Sequence, residues 1–166
     1  MRRKDREVES IDEVFDILSR CDTVRIGMRG EEHPYVVPVS FGAEMAGGKP
    51  VVYFHCARQG MKLDLLRKDA RVCVEGDIFL DIETTKHGIT VRYESVIGFG
   101  TCEIVADRDE VIHGLKLLNS HYGYGGYPLD RCGGMDHLFV GKIVLDGVTG
   151  KRNLPGQPIA ADLGST

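Results

Sequence analysis

The spacing of apolar and polar residues changes several times along the chain, and each change marks an element. Ser10-Ile11-Asp12-Glu13 forms a capping box, and Ile11, Val14, Phe15 and Leu18 then keep to one helical face, which predicts a short amphipathic helix over about 11–20. Thr23 to Met28 reads as a strand and Gly30-Glu31-Glu32 as a tight polar connection. Tyr35, Val37, Val39 and Phe41 then alternate with Val36, Pro38 and Ser40, giving a second strand that forms a hairpin with the first. Pro38 cannot donate to a ladder, so it belongs at an edge or bulge. Such a break is either a plain edge or a place where freed backbone groups meet a planar ligand.

Gly47 to Pro50 makes the next turn, Val51 to His55 a third strand, and the helix after it carries Leu63 and Leu66 on one face. Ala70–Glu75 reads as a fourth strand and Phe79–Thr84 as a short fifth, with a turn at Lys86-His87-Gly88. Ile89–Val105 is the longest β pattern, and Gly98 and Gly100 predict a bend or bulge of the kind that lets a strand curl around a barrel. Asp107 to Glu110 repeats the capping logic ahead of a helix whose Val111, Leu115 and Leu118 form the buried stripe. Residues 121–134 are a glycine and tyrosine loop without the G-K-S/T ending or the leading strand of a phosphate loop, and are expected to be a mobile lid or an irregular surface segment. Phe139–Leu145 is the last strand, with Val140, Lys142 and Val144 on one face. From Asn153 the chain is rich in proline, glycine and small residues, and is expected to be extended or loosely ordered. Six or seven strands, mostly joined by short turns, with three helices between them favour an antiparallel barrel with peripheral helices over a doubly wound parallel sheet. The expected organisation is one domain over 1–152 and an extended tail over 153–166.

Composition narrows the function. A chain of 166 residues with net charge −4 has no concentrated basic face for nucleic acid, and the basic cluster at residues 2–6 is read as a solvated tail. No apolar run approaches bilayer length, and the charged start lacks the apolar segment of a secretory signal, so a cytoplasmic location is expected. Cysteines at 21, 56, 73, 102 and 132 are odd in number and scattered, and read as reduced side chains, mostly buried. No G-x-S-x-G elbow marks a hydrolase, and the histidines at 33, 55, 87, 113, 121 and 137 lack metal-ligand spacing, so no metal is expected.

The remaining candidate chemistry lies where the third strand stops at His55 and crosses through Ala57-Arg58-Gln59-Gly60 into a helix, with Lys62 in the first turn. A helix start leaves unpaired backbone N–H groups and a partial positive charge, and Arg58 and Lys62 add two full charges. These residues fit either a phosphate seat or a basic surface turn. On the long strand, alternation places Tyr93 and Ser95 on one face and Arg92 and Glu94 on the other. The two hydroxyls suit a phosphate or ribityl chain, with Arg92 adding charge if a bulge turns it inward; a surface strand with a cross-strand salt bridge explains the same residues.

The order PVSF, YFHCARQGMKLDLL and YESVIGFGTCEIV resembles the flavin-nucleotide-binding proteins of the pyridoxamine 5′-phosphate oxidase-like split-barrel group, in particular its nitroimidazole-resistance branch, over roughly residues 11–152. The resemblance implies a six-stranded antiparallel split β-barrel and a homodimer with FMN between the subunits. It implies that Pro38, Val39, Ser40 and Phe41 line the isoalloxazine through backbone contacts and that His55 sits by the ring. The phosphate falls to Gly60 and Lys62, and the ribityl chain and ring edge to Tyr93, Ser95 and Val96, with Ala57, Arg58 and Arg92 completing the expected cofactor-binding set. It further implies an FMN-dependent oxidoreductase reducing nitroaromatic or related small acceptors, with NAD(P)H as a candidate donor and His55 either moving a proton or serving as a structural histidine. The alternative is a flavin- or heme-binding carrier or sensor without turnover. The oxidase branch's C-terminal Arg-x-His type of motif is missing, which argues against pyridoxamine phosphate as substrate.

Overall fold

In the computed structural model, residues 3–85, 88–129 and 134–156 are described. They form strands β1 (Glu7–Val8), β2 (Val24–Met28), β3 (Tyr35–Val39), β4 (Gly42–Ala46), β5 (Lys49–Ala57), β6 (Arg71–Thr85), β7 (Gly88–Val105) and β8 (Leu138–Asn153), with helices α1 (Ile11–Arg20), α2 (Met61–Lys68) and α3 (Arg108–His121). All pairings are antiparallel, in the order β3-β2-β6-β7-β8-β5-β4, with β1 added to β8. The two edge strands, β3 and β4, are consecutive in the chain and joined by Ser40 and Phe41. The sheet therefore curls with its edges unpaired, the split barrel that the resemblance implies, built among the described residues from eight strands where six were expected. No helix among the described residues is long and apolar enough to cross a membrane.

Local chemistry explains where the elements depart from expectation. Strand β4, GAEMA, has no marked β pattern, yet it pairs with β5 through Gly47-Gly48, whose φ angles of 58° and 76° suit a two-residue hairpin turn. The expected fourth and fifth strands are one strand, β6. Gly76 does not break it but admits α1, since a Cβ there would stand 2.9 Å from Cys21 Sγ. The residue that interrupts β6 is Leu80, at a register shift between Phe79 and Asp81. The irregularity expected at Gly98 and Gly100 is found as a shift between Phe99 and Gly100 against β8. Lys4–Arg6 form a 3-10 turn that leads into β1, where Glu7 and Val8 pair with Lys151 and Gly150. Asn153, assigned to the tail by composition, closes β8; the expectation of a loose tail beyond residue 156 falls outside the described residues.

Two apolar clusters cover opposite faces of the sheet. Inside the barrel, Val24, Ile26, Val52, Phe54, Val74, Val96, Ile143 and Leu145 pack against Val14, Ile17 and Leu18 of α1. Helix α1 starts at Ser10, whose Oγ accepts from Glu13 N–H, and it buries its apolar stripe as its spacing requires. Each such side chain contributes about 1.5–3 kcal/mol on burial. On the outside, α3 covers Val51, Tyr53 and Val140 with Leu115. Tyr53 Oη donates to Glu44 at 3.3 Å, while His113 Nε2 lies 2.9 Å from the same carboxylate oxygen, tying β4, β5 and α3 together. Among the described residues no element covers the outward face of β6 and β7 in this way: Phe79, Ile82, Ile89, Val91, Ile97 and Phe99 are exposed.

The inner face of β7 carries two charges. Arg92, 1% exposed, bonds Glu83 Oε2 at 2.6 Å and donates to Asn153 Oδ1 at 2.9 Å, while Glu94 accepts from Arg20 of α1 at 2.7 Å. The idea that a bulge turns Arg92 toward a ligand is corrected here. The bulge lies on β6 at Leu80, and the guanidinium is enclosed and already partnered. Arg92→Met, which leaves Glu83 and Asn153 short of a donor, is expected to destabilise the protein by about 2–3 kcal/mol and to lower its melting temperature by about 5–10 °C, as read by thermal denaturation.

Candidate functional site

The end of β5 is open in a way the rest of the strand is not. Strand β4 pairs only with Lys49 to Tyr53, so Phe54 to Ala57 have a ladder partner on the β8 side alone. Beyond Ala57 the chain turns through Arg58 and Gln59 to Gly60, which caps α2 with φ 134° and ψ 162°. Side-chain-bearing residues rarely adopt that conformation, and a Cβ there would meet open space. No side chain caps α2, and the first intrahelical bond in this turn runs from Asp64 N–H to Gly60 C=O at 3.2 Å. Among the described residues, the amides of Met61, Lys62 and Leu63 are thus the unsatisfied donors of the helix start.

Two cations flank these amides. Arg58 lies with Cζ 5.2 Å from the centre of the Phe139 ring, and Lys62 Nζ is 5.0 Å from the centre of the Phe54 ring. Among the described residues neither has a carboxylate partner, whereas Lys68, at the far end of the same helix, is paired with Glu31. An aromatic face holds an ammonium with about 0.5–1 kcal/mol at exposed sites without neutralising it. The arrangement is a concentration of uncompensated positive charge beside free amides, and it can seat an anion.

His55 lies on the other side of the strand. Alternation sends Val52 and Phe54 into the barrel and Val51, Tyr53 and His55 outward, toward α3. The imidazole opens onto a pocket of about 400 Å³ between α3, Leu138 of β8 and the segment that follows α3. That segment is the glycine and tyrosine loop: Tyr122, Tyr124 and Tyr127 line the pocket, and residues 130–133 lie outside the described ones. Tyr122 is anchored, since its Oη donates to Asp22 C=O at 2.7 Å and accepts from Phe41 N–H at 3.3 Å. These tyrosines were not singled out from sequence as site residues; the signal available was aromatic residues recurring in a glycine-rich stretch directly after a helix.

The remaining expected residues divide between the faces. Pro38 and Ser40 are exposed at the β3 edge and the β3–β4 crossing, as a proline-interrupted edge requires. Val39 and Phe41 send their side chains into the core, and the Phe41 amide is taken by Tyr122. Ala57 is exposed at the end of β5. Tyr93 and Ser95 stand together on the outward face of β7, where Ser95 Oγ donates to Lys151 C=O at 3.5 Å and Lys151 Nζ lies 5.7 Å from the centre of the Tyr93 ring. Burial pushes the Tyr93 phenol up, but hydrogen bonds and charge from Lys151 and Arg6 outweigh it and leave its pKa lowered. Val96 points the opposite way, into the barrel with Arg92, and is 2% exposed.

A family model described as pyridoxamine 5′-phosphate oxidase matches residues 10–152. No curated protein matches the chain. Among solved structures, a candidate 5-nitroimidazole antibiotic resistance protein from Bacteroides thetaiotaomicron is 25% identical with a TM-score of 0.78, covering 88% of this chain and 86% of its own. An FAD and heme binding protein from Mycobacterium smegmatis is 20% identical with a TM-score of 0.77, over 95% of this chain and 77% of its own. A flavocytochrome from Azotobacter vinelandii is 18% identical with a TM-score of 0.77, over 98% and 75%. With most of its length matched by the family model, the chain belongs to the pyridoxamine 5′-phosphate oxidase family.

Proposed function

We propose that this member of the pyridoxamine 5′-phosphate oxidase family binds FMN at the end of β5 and works in the cytoplasm as a flavin-dependent reductase of small acceptors such as nitroaromatics, with NAD(P)H as donor. The observation that carries the reading is the pair of uncompensated cations, Arg58 and Lys62, beside the uncapped start of α2. That donor set fits a phosphate dianion: backbone amides, two charges and a glycine whose missing Cβ leaves the approach open. Structural relatives that bind flavin and the similarity to the Bacteroides resistance protein support the same reading.

When bound, flavin supplies reversible one- and two-electron transfer; the chain's residues hold it and shape its surroundings. Arg58, Gly60 and Lys62 fix the phosphate end. The open edge of Phe54 to Ala57 and the exposed backbone near Pro38 and Ser40 offer donors and acceptors to a planar ring. His55 opens onto the neighbouring pocket, where its ring nitrogens can donate or accept a hydrogen bond. A second reading, a flavin- or heme-binding carrier, draws on the same histidine opening onto an apolar pocket, because imidazole there also suits heme iron.

The homodimer is part of the proposal. The register aligns Val36, Gly27, Cys73 and Phe99 in one cross-strand row on the outward face, and Val36 and Phe99 are about 60% exposed. With Ile97, Val91, Ile89, Ile82 and Phe79 this makes an apolar surface of the kind a second copy covers.

The protein as isolated is expected to be yellow, with FMN as the nucleotide released on denaturation; a colourless protein that stays so after incubation with FMN refutes the reading, and a Soret band in its place points to heme. Lys62→Ala is expected to weaken FMN binding about 10- to 100-fold, the equivalent of one charge-assisted contact, with the melting temperature of the flavin-free protein unchanged. Light scattering is expected to give twice the mass of one chain, and Phe99→Glu to shift the population toward the monomer.

A further inference from the structure

We infer that Tyr122 is a positioning residue for the cofactor ring: its hydroxyl fixes the peptide that joins Ser40 to Phe41, so that the Ser40 carbonyl faces the open edge of β3 as an acceptor for a ring N–H. What meets that carbonyl rests on the flavin reading; the aim of the peptide stands on the chain alone.

The β3–β4 crossing lies where no ladder holds it. Strand β3 pairs only with β2 and β4 only with β5, and the last β2–β3 pair is Val24 with Val39. Carried two residues further, that register sets Asp22 against Phe41. A ladder would join Phe41 N–H directly to Asp22 C=O. Instead the Tyr122 hydroxyl stands between them, accepting from Phe41 N–H at 3.3 Å and donating to Asp22 C=O at 2.7 Å. The end of α3 reinforces this bridge. His121 Nε2 donates to Cys21 C=O at 2.9 Å, and its ring centre lies 4.4 Å from that of Phe41, which is fully buried. A Cβ at Gly42 would stand 2.4 Å from the backbone of Leu117 and Leu118, so the start of β4 lies directly against the helix.

Planarity turns the bridge into an aim. Among the described residues no peptide bond is cis, and in a trans peptide the C=O points opposite to the N–H of the next residue. With Phe41 N–H held toward the β2 side, the Ser40 C=O of the same peptide points away from β2, to the edge of β3 that no strand covers among the described residues. Pro38, two residues earlier and so on the same edge, has no N–H to offer. Both residues are exposed, and acceptors outnumber donors along this edge. That polarity selects the group it meets. An oxidised flavin ring carries a single N–H, the imide at its position 3, flanked by carbonyl oxygens. A carbonyl on the protein side bonds the imide N–H and repels a ring oxygen set in its place.

The test titrates FMN and 3-methyl-FMN, which differ only in a proton or a methyl on the imide nitrogen, into the flavin-stripped protein and its Tyr122→Phe variant, read by quenching of flavin fluorescence. The variant keeps the ring and gives up one hydroxyl on a side chain that is 36% exposed, so the fold is kept. The parent is expected to prefer FMN about tenfold or more, and Tyr122→Phe to cut that preference to about threefold or less by weakening FMN while leaving 3-methyl-FMN nearly as it was. A residue that only supports the fold would weaken both nucleotides alike; a preference unchanged in the variant, or absent from the parent, overturns the assignment. Amide exchange followed by NMR on the stripped protein reads the peptide without cofactor. Protection of Phe41 N–H is expected to fall about tenfold or more in Tyr122→Phe, with the β6–β7 ladder unchanged, and unaltered protection overturns the hold on the peptide. A protein that takes up neither nucleotide while its Phe41 amide loses protection refutes the flavin reading and supports the hold of Tyr122, whereas a parent that binds both nucleotides equally refutes the role of Tyr122 alone.

Discussion

A strand has two faces and no more, and the site depends on what that constraint does to β5. Its even-numbered residues, Val52 and Phe54, complete the barrel interior, while Val51, Tyr53 and His55 face α3. The strand is covered on both sides, so its position is firm. Its last four residues, however, outrun β4 and keep one edge unpaired. A rigid strand with a free edge, cations turning in below it and an imidazole above it presents polar groups in three directions. Binding sites held on such elements are more exact than sites held on loops alone.

The cations need an explanation of their own, because most charged groups nearby have found partners. Arg71 pairs with Asp69, Lys68 with Glu31 and Arg25 with Glu75. A carboxylate beside Lys62 would hold it just as firmly and would also cancel its field at the start of α2. An aromatic ring orients the ammonium through its quadrupole and leaves the charge in place. Phe54 is 1% exposed and cannot move aside. Lys62, half-buried above it, has lost part of its rotamer freedom to that contact.

Much of this was legible in the residues. Ser10 and Asp107 announce α1 and α3 because a capping side chain bonds locally, and both are found accepting from the amide three residues on. The crossing from β5 to α2 was legible because Gly60 is a backbone requirement written into one residue. Strand β4 was not, since GAEMA owes its conformation to pairing with β5 across Gly47-Gly48 rather than to its own preference. Nor was the continuity of β6 through Gly76 legible, since the missing side chain there serves the approach of Cys21, a contact between elements far apart in sequence. The separation of His55 from Lys62 by the sheet follows from alternation, but which face α3 would cover depends on long-range packing. The role of the tyrosine loop depends on that same packing.

Strand β7 shows how far a face can depart from the usual pattern. In its first half the inward positions Arg92 and Glu94 are charged, while outward positions include Ile89, Val91 and Ile97. Read as a half-buried strand with one wet side, that alternation assigns the faces backwards. The inner charges are tolerable because each is matched: Arg92 by Glu83 and Asn153, Glu94 by Arg20. An ion pair of this kind adds little net stability over apolar packing. It does make register costly to violate, since a slip of one residue would carry a guanidinium from its partners onto the apolar outer surface and replace it with Val91 or Tyr93. The pattern is that of a strand apolar on its outer face and charged, with each charge matched, on part of its inner one, and Tyr93 and Ser95 stand on the outer face.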